Sequence, residues 1–523
     1  PAQLVAGNPE WLRPLVGVRP RDGHYLHFVA FEIGRGPDGK WWVLADRTQA
    51  PSGAGYALEN RVATSRAFSE VYAGMNVHRL AGFFRDFRDR LLALRDDREA
   101  RVAILTPGPL NETYYEHAWI ARYLGFTLVQ GEDLTVEKGH LLVRTVSGLR
   151  PVDVLWRRLD GDFADPLELN PQSRIGTPGL VSALRARGVT LVNALGSGVL
   201  ETRALMAFLP KLAPHLLHEP LKIPNIATWW CGGAPERAEV LAAQGRMVMS
   251  RALATGSPFD GTSDAFPAAR LSRAELAARL EAEGAALVAQ EAVTLSTTPA
   301  LVDGRLQPRP LSLRVFLART ETGWQVMPGG FARIGASPDP KALAMQHGGS
   351  AADVWIVSPR PVASDTMVPA SPGPYRRTTP GALPSRAADN LFWLGRYVER
   401  TEGIMRLLRA RNVRLAEAGE AAAPLIAALD PLLESLGAEP EGGVPPGLLA
   451  TLAAAIASAG QVRDRFSPDA WSALIDLEKT ARRMAATVTP GDDAARALSA
   501  LLRKLTGFSG LVHENMYRFL GWR

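Results

Sequence analysis

Five clusters in this sequence gather the residue types from which binding sites are built, four of them in loops that follow or border a strand-like stretch. Asp46-Arg-Thr-Gln-Ala-Pro-Ser-Gly-Ala-Gly55 leads into Tyr56-Ala-Leu-Glu-Asn-Arg61, which supplies Glu59, Asn60 and Arg61. Thr106-Pro-Gly-Pro-Leu-Asn-Glu112 carries Asn111 and Glu112. Arg157-Arg-Leu-Asp-Gly-Asp162 carries Arg157 and Asp160, and Asn193-Ala-Leu-Gly-Ser-Gly198 carries Asn193 and Ser197. Loops after strands are where α/β proteins hold ligands, because the rigid sheet fixes both ends of the loop. Carboxylates and amides there suit hard cations, and arginines suit phosphates or carboxylates. Taken singly, each loop also has the composition of an ordinary turn. Five in one chain point to at least one functional site.

Other chemistries are poorly represented. No Gly-x-Ser-x-Gly elbow stands at a strand–helix turn, and Gly196-Ser-Gly198 lacks its spacing. No Gly-Lys-Ser/Thr marks a Walker loop. His215 and His218 are three apart without an evident third metal ligand. Cys231 is the single cysteine, which excludes an intrachain disulfide and any cysteine-based metal cluster and suits a reducing cytoplasm.

The elements that must position these loops come in two styles. Over residues 1–360 strand-like and helix-like stretches alternate, which argues α/β or α+β with several sheets. His24–Ile33 and Trp41–Ala45 flank Gly36-Pro-Asp-Gly-Lys40 and read as a hairpin. Arg101–Leu105, Val152–Trp156, Val189–Val192, Arg246–Met249, Leu287–Gln290, Leu311–Ala318 and Val354–Val357 read as strands, and Thr202–Leu217 and Pro235–Gln244 as helices. Ser272–Gly284 reads as a helix with Glu275 completing a capping box. Residues 361–384 form a linker; seven prolines fall between Ser358 and Pro384. From 385 to 523 nearly everything has helical periodicity, with Leu391, Leu394, Val398, Met405 and Leu408 on one face of the first run. That predicts an all-α bundle. Its last segment, Gly507–Arg523, reads as a separate helix cut short by the chain end.

With 523 residues, 46% hydrophobic and 21% charged, the chain is long enough for two or three domains and ordinary for a folded protein. No run of about 18 apolar residues is present, so no membrane contact is expected. Net charge is +6, and only seven of the 59 basic residues are lysine. The basic residues are interspersed with acids, so nucleic acid is not expected as a partner, while an arginine-rich pocket for phosphates or carboxylates stays open.

Several motifs carry a more specific resemblance. WWVLADRTQAPSGAGYALENRVATSR from Trp41, TPGPLNETYYEHAWIARYLGF from Thr106, RRLDGDFADPLEL from Arg157, NALGSGVLET from Asn193 and ATWWCG from Ala227 are similar to the circularly permuted type 2 ATP-grasp family. VAQEAVTLSTTP from Val288, RPLSLRVF from Arg309 and VMPGGFARIG from Val326 continue the match in order. LPSRAADNLFWLGRYVERTE, from Leu383 to Glu402, resembles the Alpha-E domain. The resemblance implies a circularly permuted ATP-grasp-like α/β fold followed by a helical bundle. It also implies an ATP-dependent ligase that joins a small-molecule or peptide carboxylate to an amine through an acyl phosphate, with ATP and Mg²⁺ as cofactors.

On that resemblance, the strand from Val288 would read the nucleotide through its backbone, with Gln290 and Glu291 at the adenine and ribose. Arg314 would face phosphate or substrate as a catalytic cation, and Arg203 would stand where relatives often carry lysine. The metal set would be Glu32, Asp46, Glu59 and Asn60, although relatives read Glu-x-Asn where this chain has Ala45-Asp46-Arg47. Arg47 could instead occupy the cation's place. The family's phosphate lysine aligns with Ser250, with Arg251 one place off and a second catalytic candidate. A Ser–Lys pair of relatives becomes Ala351-Ala352, and their glycine-rich loop becomes Ala254-Thr-Gly-Ser-Pro-Phe-Asp-Gly261. Two readings follow: a ligase with arginines for lysines, or a degenerate ATP-grasp acting as a scaffold or ligand-binding protein. In the helical part, Arg396, Glu399, Arg400 and Glu402 share about one turn; they suit either a protein-partner surface or salt bridges on a solvated face.

Overall fold

The computed structural model describes residues 2–96, 100–256, 264–338, 348–367, 383–418, 421 and 423–516. The chain forms two compact units that interleave in sequence. One is built from Pro1–Pro107, Gln130–Leu142 and Pro151–Pro372, the other from Gly108–Val129, Val143–Arg150 and Gly373–Arg523.

Among the described residues, three sheets carry the strands of the first unit, the third of them shared with segments of the second. The largest has seven strands around Arg305–Thr320, which pairs with Phe28–Arg35, Thr297–Val302, Gly323–Val326 and Phe331–Ile334. Trp41–Arg47 extends it through the expected hairpin, and Gly39 adopts φ 81° in the turn, where a side chain would be strained. Ser350–Asp353 closes the other edge against Phe331–Ile334. The strand expected at 354–357 therefore falls four residues earlier; pairing ends at Asp353, and the Val354 carbonyl accepts from Arg61 instead.

A second sheet has the order Phe266–Pro267, Met247–Arg251, Leu287–Glu291, Thr228–Trp230. One face, with Met247, Met249, Leu287 and Ala289, packs on the helices Ala234–Ala242 and Arg273–Glu283. The latter begins with the expected box: Glu275 N donates to Ser272 Oγ and Ser272 N to Glu275 Oε2. In the third sheet Arg101–Leu105, Gly148–Arg157 and Thr190–Val192 run parallel. The loops that begin at Thr106, Arg158 and Asn193 thus leave the same ends of neighbouring strands, the usual place for a site in an open α/β sheet.

An aromatic column ties two sheets together. Phe28 lies 5.2 Å from Phe87, 5.3 Å from Trp156 and 6.0 Å from Phe316, ring centre to ring centre. All four are fully buried, each contributing roughly 1.5–3 kcal/mol of burial. The run expected as one helix from Thr202 splits into a 3₁₀ segment, Arg203–Ala207, and a helix, Leu209–Leu217. Pro210, with no amide hydrogen to donate, sits in the first turn of that second helix, where none is needed.

In the second unit the helices Ser385–Ala418, Ala423–Ser435, Pro446–Gly460, Pro468–Ala485 and Asp492–Met516 form the expected bundle. Leu394, Met405 and Leu408 of the first pack with Leu452, Leu474, Leu477, Leu498 and Leu501. The break expected at Gly507 is absent, and Asp492–Met516 runs through it. A helical glycine costs about 1 kcal/mol relative to alanine, less than the burial of Leu505 and Phe508 on either side returns. Of the expected linker, 368–382 lies outside the described residues, as do 517–523 of the last segment.

Candidate functional site

Strand register decides which candidates meet. Residues directly opposite in an antiparallel pair share a face of the sheet, and neighbours along a strand alternate. Glu32 stands opposite Arg314 on one side and Ala45 on the other, and Arg47 stands opposite Ala30. Glu32, Ala45, Arg47 and Arg314 therefore share one face. Asp46 stands opposite Phe31, on the other face. A bulge just beyond, where Ile33 pairs with Val43 and Leu44 is the extra residue, leaves this assignment intact at Glu32.

Glu32 is the centre of a cationic cluster. Arg314 Nη2 is 2.5 Å from Glu32 Oε1, Arg47 Nη2 3.2 Å from the same oxygen, and Arg333 Nη1 3.5 Å from Oε2. Burial pushes the Glu32 pKa up, but the Arg314, Arg47 and Arg333 guanidiniums outweigh it and hold the carboxyl well below the ordinary range. Arg314 also donates from Nη1 to the carbonyl and hydroxyl of Ser52, while its buried Nε has no acceptor among the described residues. Burial lowers the Arg314 pKa against the pull of Glu32. Gly53 follows at φ 112°, and a Cβ there would lie 2.3 Å from Phe331 Cε1, so the Pro-Ser-Gly turn accepts only glycine at this point.

Arg47 reaches further. Its Nη1 donates to the Thr255 carbonyl at 3.1 Å and lies 3.9 Å from Glu201 Oε2. Arg203, in the 3₁₀ segment, donates from Nε to the Gly256 carbonyl at 2.6 Å. Asp264 lies within 4.0 Å of Arg203 and 3.4 Å of Arg251, so these two arginines meet on one carboxylate. The small-residue loop Ala254–Gly256 thus joins Arg47 on the large sheet to Arg203 beside the four-stranded one; its continuation, 257–261, lies outside the described residues.

The expected nucleotide strand has its groups committed. Leu287–Glu291 is paired on both sides, by Met247–Arg251 and Thr228–Trp230. Glu291 N donates to the Ala227 carbonyl and Ala292 N to that of Arg246. Gln290 is buried and donates to Thr228 Oγ1, and Glu291 faces Arg246 at 3.4 Å. Ser250 is buried with no partner for its hydroxyl among the described residues, whereas Arg251 is exposed. The Ser–Lys pair of relatives falls on Ala351, opposite Arg333 on the Glu32 face, and Ala352, on the other face.

The metal candidates do not converge. Asp46 lines a cavity of about 560 Å³ walled by Phe31, Ile33, Leu205, Val315 and Leu317. Burial, then repulsion from Glu201, pushes its pKa up to about 6, with Arg47 opposing. Glu59 and Asn60 lie on the helix Ala54–Ala67 and make no hydrogen bond to Glu32; Glu59 Oε2 is buried without a donor among the described residues. Among those residues no group of three or more His, Cys, Asp or Glu is arranged for a metal. A Mg²⁺ ion implied by the family does not fit at Glu32, whose oxygens three guanidiniums already hold. Two unit charges about 4 Å apart interact by about 4 kcal/mol at an effective dielectric near 20, and a divalent ion would meet twice that from each neighbouring guanidinium. Phosphate oxygens, by contrast, match the cluster's donors.

The remaining candidates are largely fixed by the fold. Arg157 is fully buried and donates to the carbonyls of Asn193, Leu159 and Ala194 and to Ser197 Oγ; burial lowers its pKa to about 10. Asn193 Oδ1 accepts from the amides of His27 and Phe28, and its Nδ2 donates to the carbonyls of Phe28 and Thr48. Arg61 grips Asp353 and the carbonyls of His78 and Val354. Asn111 accepts from Thr113 ahead of the helix Tyr114–Leu124, in the second unit, where Glu112 is exposed.

Glu201 and Glu10 were not singled out by the sequence. Glu201 Oε1 accepts from the amides of Thr48 and Gln49, and burial raises its pKa. Burial, then Asp160, Asp162 and Glu201, raises that of Glu10, and burial raises that of Asp160. Glu10 and Ser197 line a mainly apolar cavity of about 500 Å³ with Trp11, Leu12 and Leu195. Glu201 stands inside the motif NALGSGVLET, and Arg333 inside VMPGGFARIG, so a signal for both was present.

Comparison with known proteins agrees with this architecture. A family model described as circularly permuted ATP-grasp type 2 matches residues 1–335, and Alpha-E, described as a predicted alpha-helical domain with a conserved ER motif, matches 383–523. Glu399-Arg400 supplies that pair here. Uncharacterized protein Rv2567 of Mycobacterium tuberculosis is 31% identical over all of this chain and 63% of its own length. Uncharacterized protein sll0335 of Synechocystis is 32% identical over 68% of this chain and 74% of its own, and Rv2411c of M. tuberculosis 33% over 70% and 66%. The chain spans 63% of the length of the first of these relatives. It belongs to the circularly permuted ATP-grasp type 2 family, with an Alpha-E domain following the ATP-grasp region.

Proposed function

We propose that the Glu32 face binds the phosphates of a nucleotide in the service of carboxylate–amine ligation. The observation that carries this reading is the gathering of Arg47, Arg314 and Arg333 on one sheet face, next to the Pro-Ser-Gly turn. In the reaction, a carboxylate oxygen of the substrate takes the γ-phosphoryl group of ATP as the bond to ADP breaks. The amine nitrogen then attacks the acyl carbon, phosphate leaves with the C–O electron pair, and the amine proton passes to solvent. Arg314, held by Glu32 and Ser52, would orient the transferred group and offset its negative charge. The cavity beside Glu10 and Ser197 has room for part of a small-molecule or peptide substrate. No helix among the described residues is long and apolar enough to cross a membrane; a cytoplasmic setting belongs to this proposal, as does protein docking through the exposed Phe392 and Trp393 of the helical unit.

A second reading, a ligand-binding scaffold without turnover, is favoured by the paired backbone of Leu287–Glu291, which leaves those residues no amide for a base. ADP release on adding pooled carboxylates and amines to the chain with ATP separates the two. Release that needs both co-substrates supports ligation. Binding of ATP with no release under any pool supports the scaffold.

A further inference from the structure

The residues around Glu32 carry one step more, which rests on the reading that this face takes phosphates. A divalent ion at a phosphate site does two things: it draws the anion in, and it bridges the anion to a protein carboxylate. Here both are already done by side chains. Arg47 sits on Glu32 Oε1 through Nε at 3.4 Å and Nη2 at 3.2 Å, and it is held from its other side by the Thr255 carbonyl. Arg314 and Arg333 occupy the remaining approaches to the carboxylate. Among the described residues, these three guanidiniums face the carboxylates of Glu32 and Glu201. A metal would have to displace Arg47 from Glu32; a phosphate has only to meet the buried Nε of Arg314, which lacks an acceptor among the described residues.

We propose that this site binds a phosphate chain without a divalent cation, with the Arg47 guanidinium standing where the metal would bridge Glu32 to the phosphates. The ligand class is an oligophosphate, either free or as the tail of a nucleotide. Arg47 is the guanidinium that also reaches the Thr255 carbonyl, so removing it opens one approach to Glu32 for a cation while Arg314 and Arg333 keep the others.

Calorimetric titration of the full chain tests this, with ATP and inorganic tripolyphosphate each titrated in excess EDTA and in excess Mg²⁺. Dissociation constants in the two conditions should agree within about threefold. Arg47→Ala should bind at least tenfold more weakly in EDTA and recover when Mg²⁺ is added, whereas Arg47→Lys, which keeps a cation beside Glu32 and checks folding, should stay metal-independent. Equal behaviour of ATP and tripolyphosphate assigns the site to the phosphate chain, and binding of ATP alone assigns it to the nucleotide; either supports the proposal if Mg²⁺ is not needed. Wild-type binding that improves tenfold or more with Mg²⁺ overturns the metal-free site while leaving phosphate binding in place. No binding in either condition overturns both.

Discussion

Arg314 Nη2 lies 2.5 Å from Glu32 Oε1 across the pairing of Phe28–Arg35 with Arg305–Thr320, and both side chains are almost completely buried. A buried pair of this kind is costly to break from one side, because the surviving charge loses its partner and stays out of water. Removing the Glu32 carboxylate would leave Arg314 with Ser52 and take a shared counter-charge from Arg47 and Arg333.

Glu32→Gln should therefore destabilise the protein by about 3–5 kcal/mol, read as a lower denaturant midpoint with an unchanged slope. A loss of well under 1 kcal/mol would mean that water reaches the cluster and that its charge is screened.

Asp46 predicts a pH dependence of defined sign. Its folded pKa, about 6, lies above the ordinary aspartate value of 3.8. The folded state thus holds the proton more tightly, and this residue's contribution to stability falls as pH rises from about 4 through about 6. Asp46→Asn should be more stable than wild type at pH 7–8, by on the order of 3 kcal/mol, and the advantage should disappear below pH 4. Paired unfolding curves across pH 4–8 check this. A variant less stable than wild type at pH 8 would mean that the Asp46 carboxylate has a cationic partner.

Much of the fold was legible in the sequence, since its signals are local. The hairpin around Gly36–Gly39, the Ser272–Glu275 box and the helical unit each follow from residues a few positions apart. Glu32 and Arg314 were named on motif resemblance, as a metal ligand and a catalytic cation, and nothing in the sequence put them opposite each other. What stayed hidden depends on register. Asp46 and Arg47 are adjacent on a strand and so point to opposite faces, but only the pairing of Glu32 with Ala45 and of Phe31 with Asp46 shows that Arg47 is the one on the Glu32 face. The interleaving of the units was hidden for the same reason: Tyr114 donates to the Gln461 carbonyl and Arg122 to that of Phe466, contacts between segments over 300 residues apart.

Asn193 offers a test of structure against chemistry. Its side chain serves two amides and two carbonyls in the interior. Asn193→Ala would leave these groups unsatisfied, at about 1–3 kcal/mol each before relaxation. The variant should lose at least about 3 kcal/mol in chemical unfolding. Near-normal stability with impaired substrate binding would place Asn193 in direct contact with substrate.

Ala45 and Arg47 share the Glu32 face, which allows a cation site to be built there. The double substitution Ala45→Glu with Arg47→Asn puts two oxygen donors beside Glu32 and removes the competing cation, a donor set suited to a hard divalent ion. The double variant should gain thermal stability in Mg²⁺ or Mn²⁺, with no such gain in wild type. An equal rise in both would show a divalent site elsewhere.

Receipt of phosphates by the Arg47–Arg314–Arg333 cluster is the step on which the proposed function depends. Phosphorus NMR of ATP titrated with the chain tests it most directly. The β and γ resonances should shift or broaden with wild type, and Arg314→Ala should abolish the effect while its far-ultraviolet circular dichroism stays native. Unchanged resonances with wild type, or the same perturbation by natively folded Arg314→Ala, would contradict it.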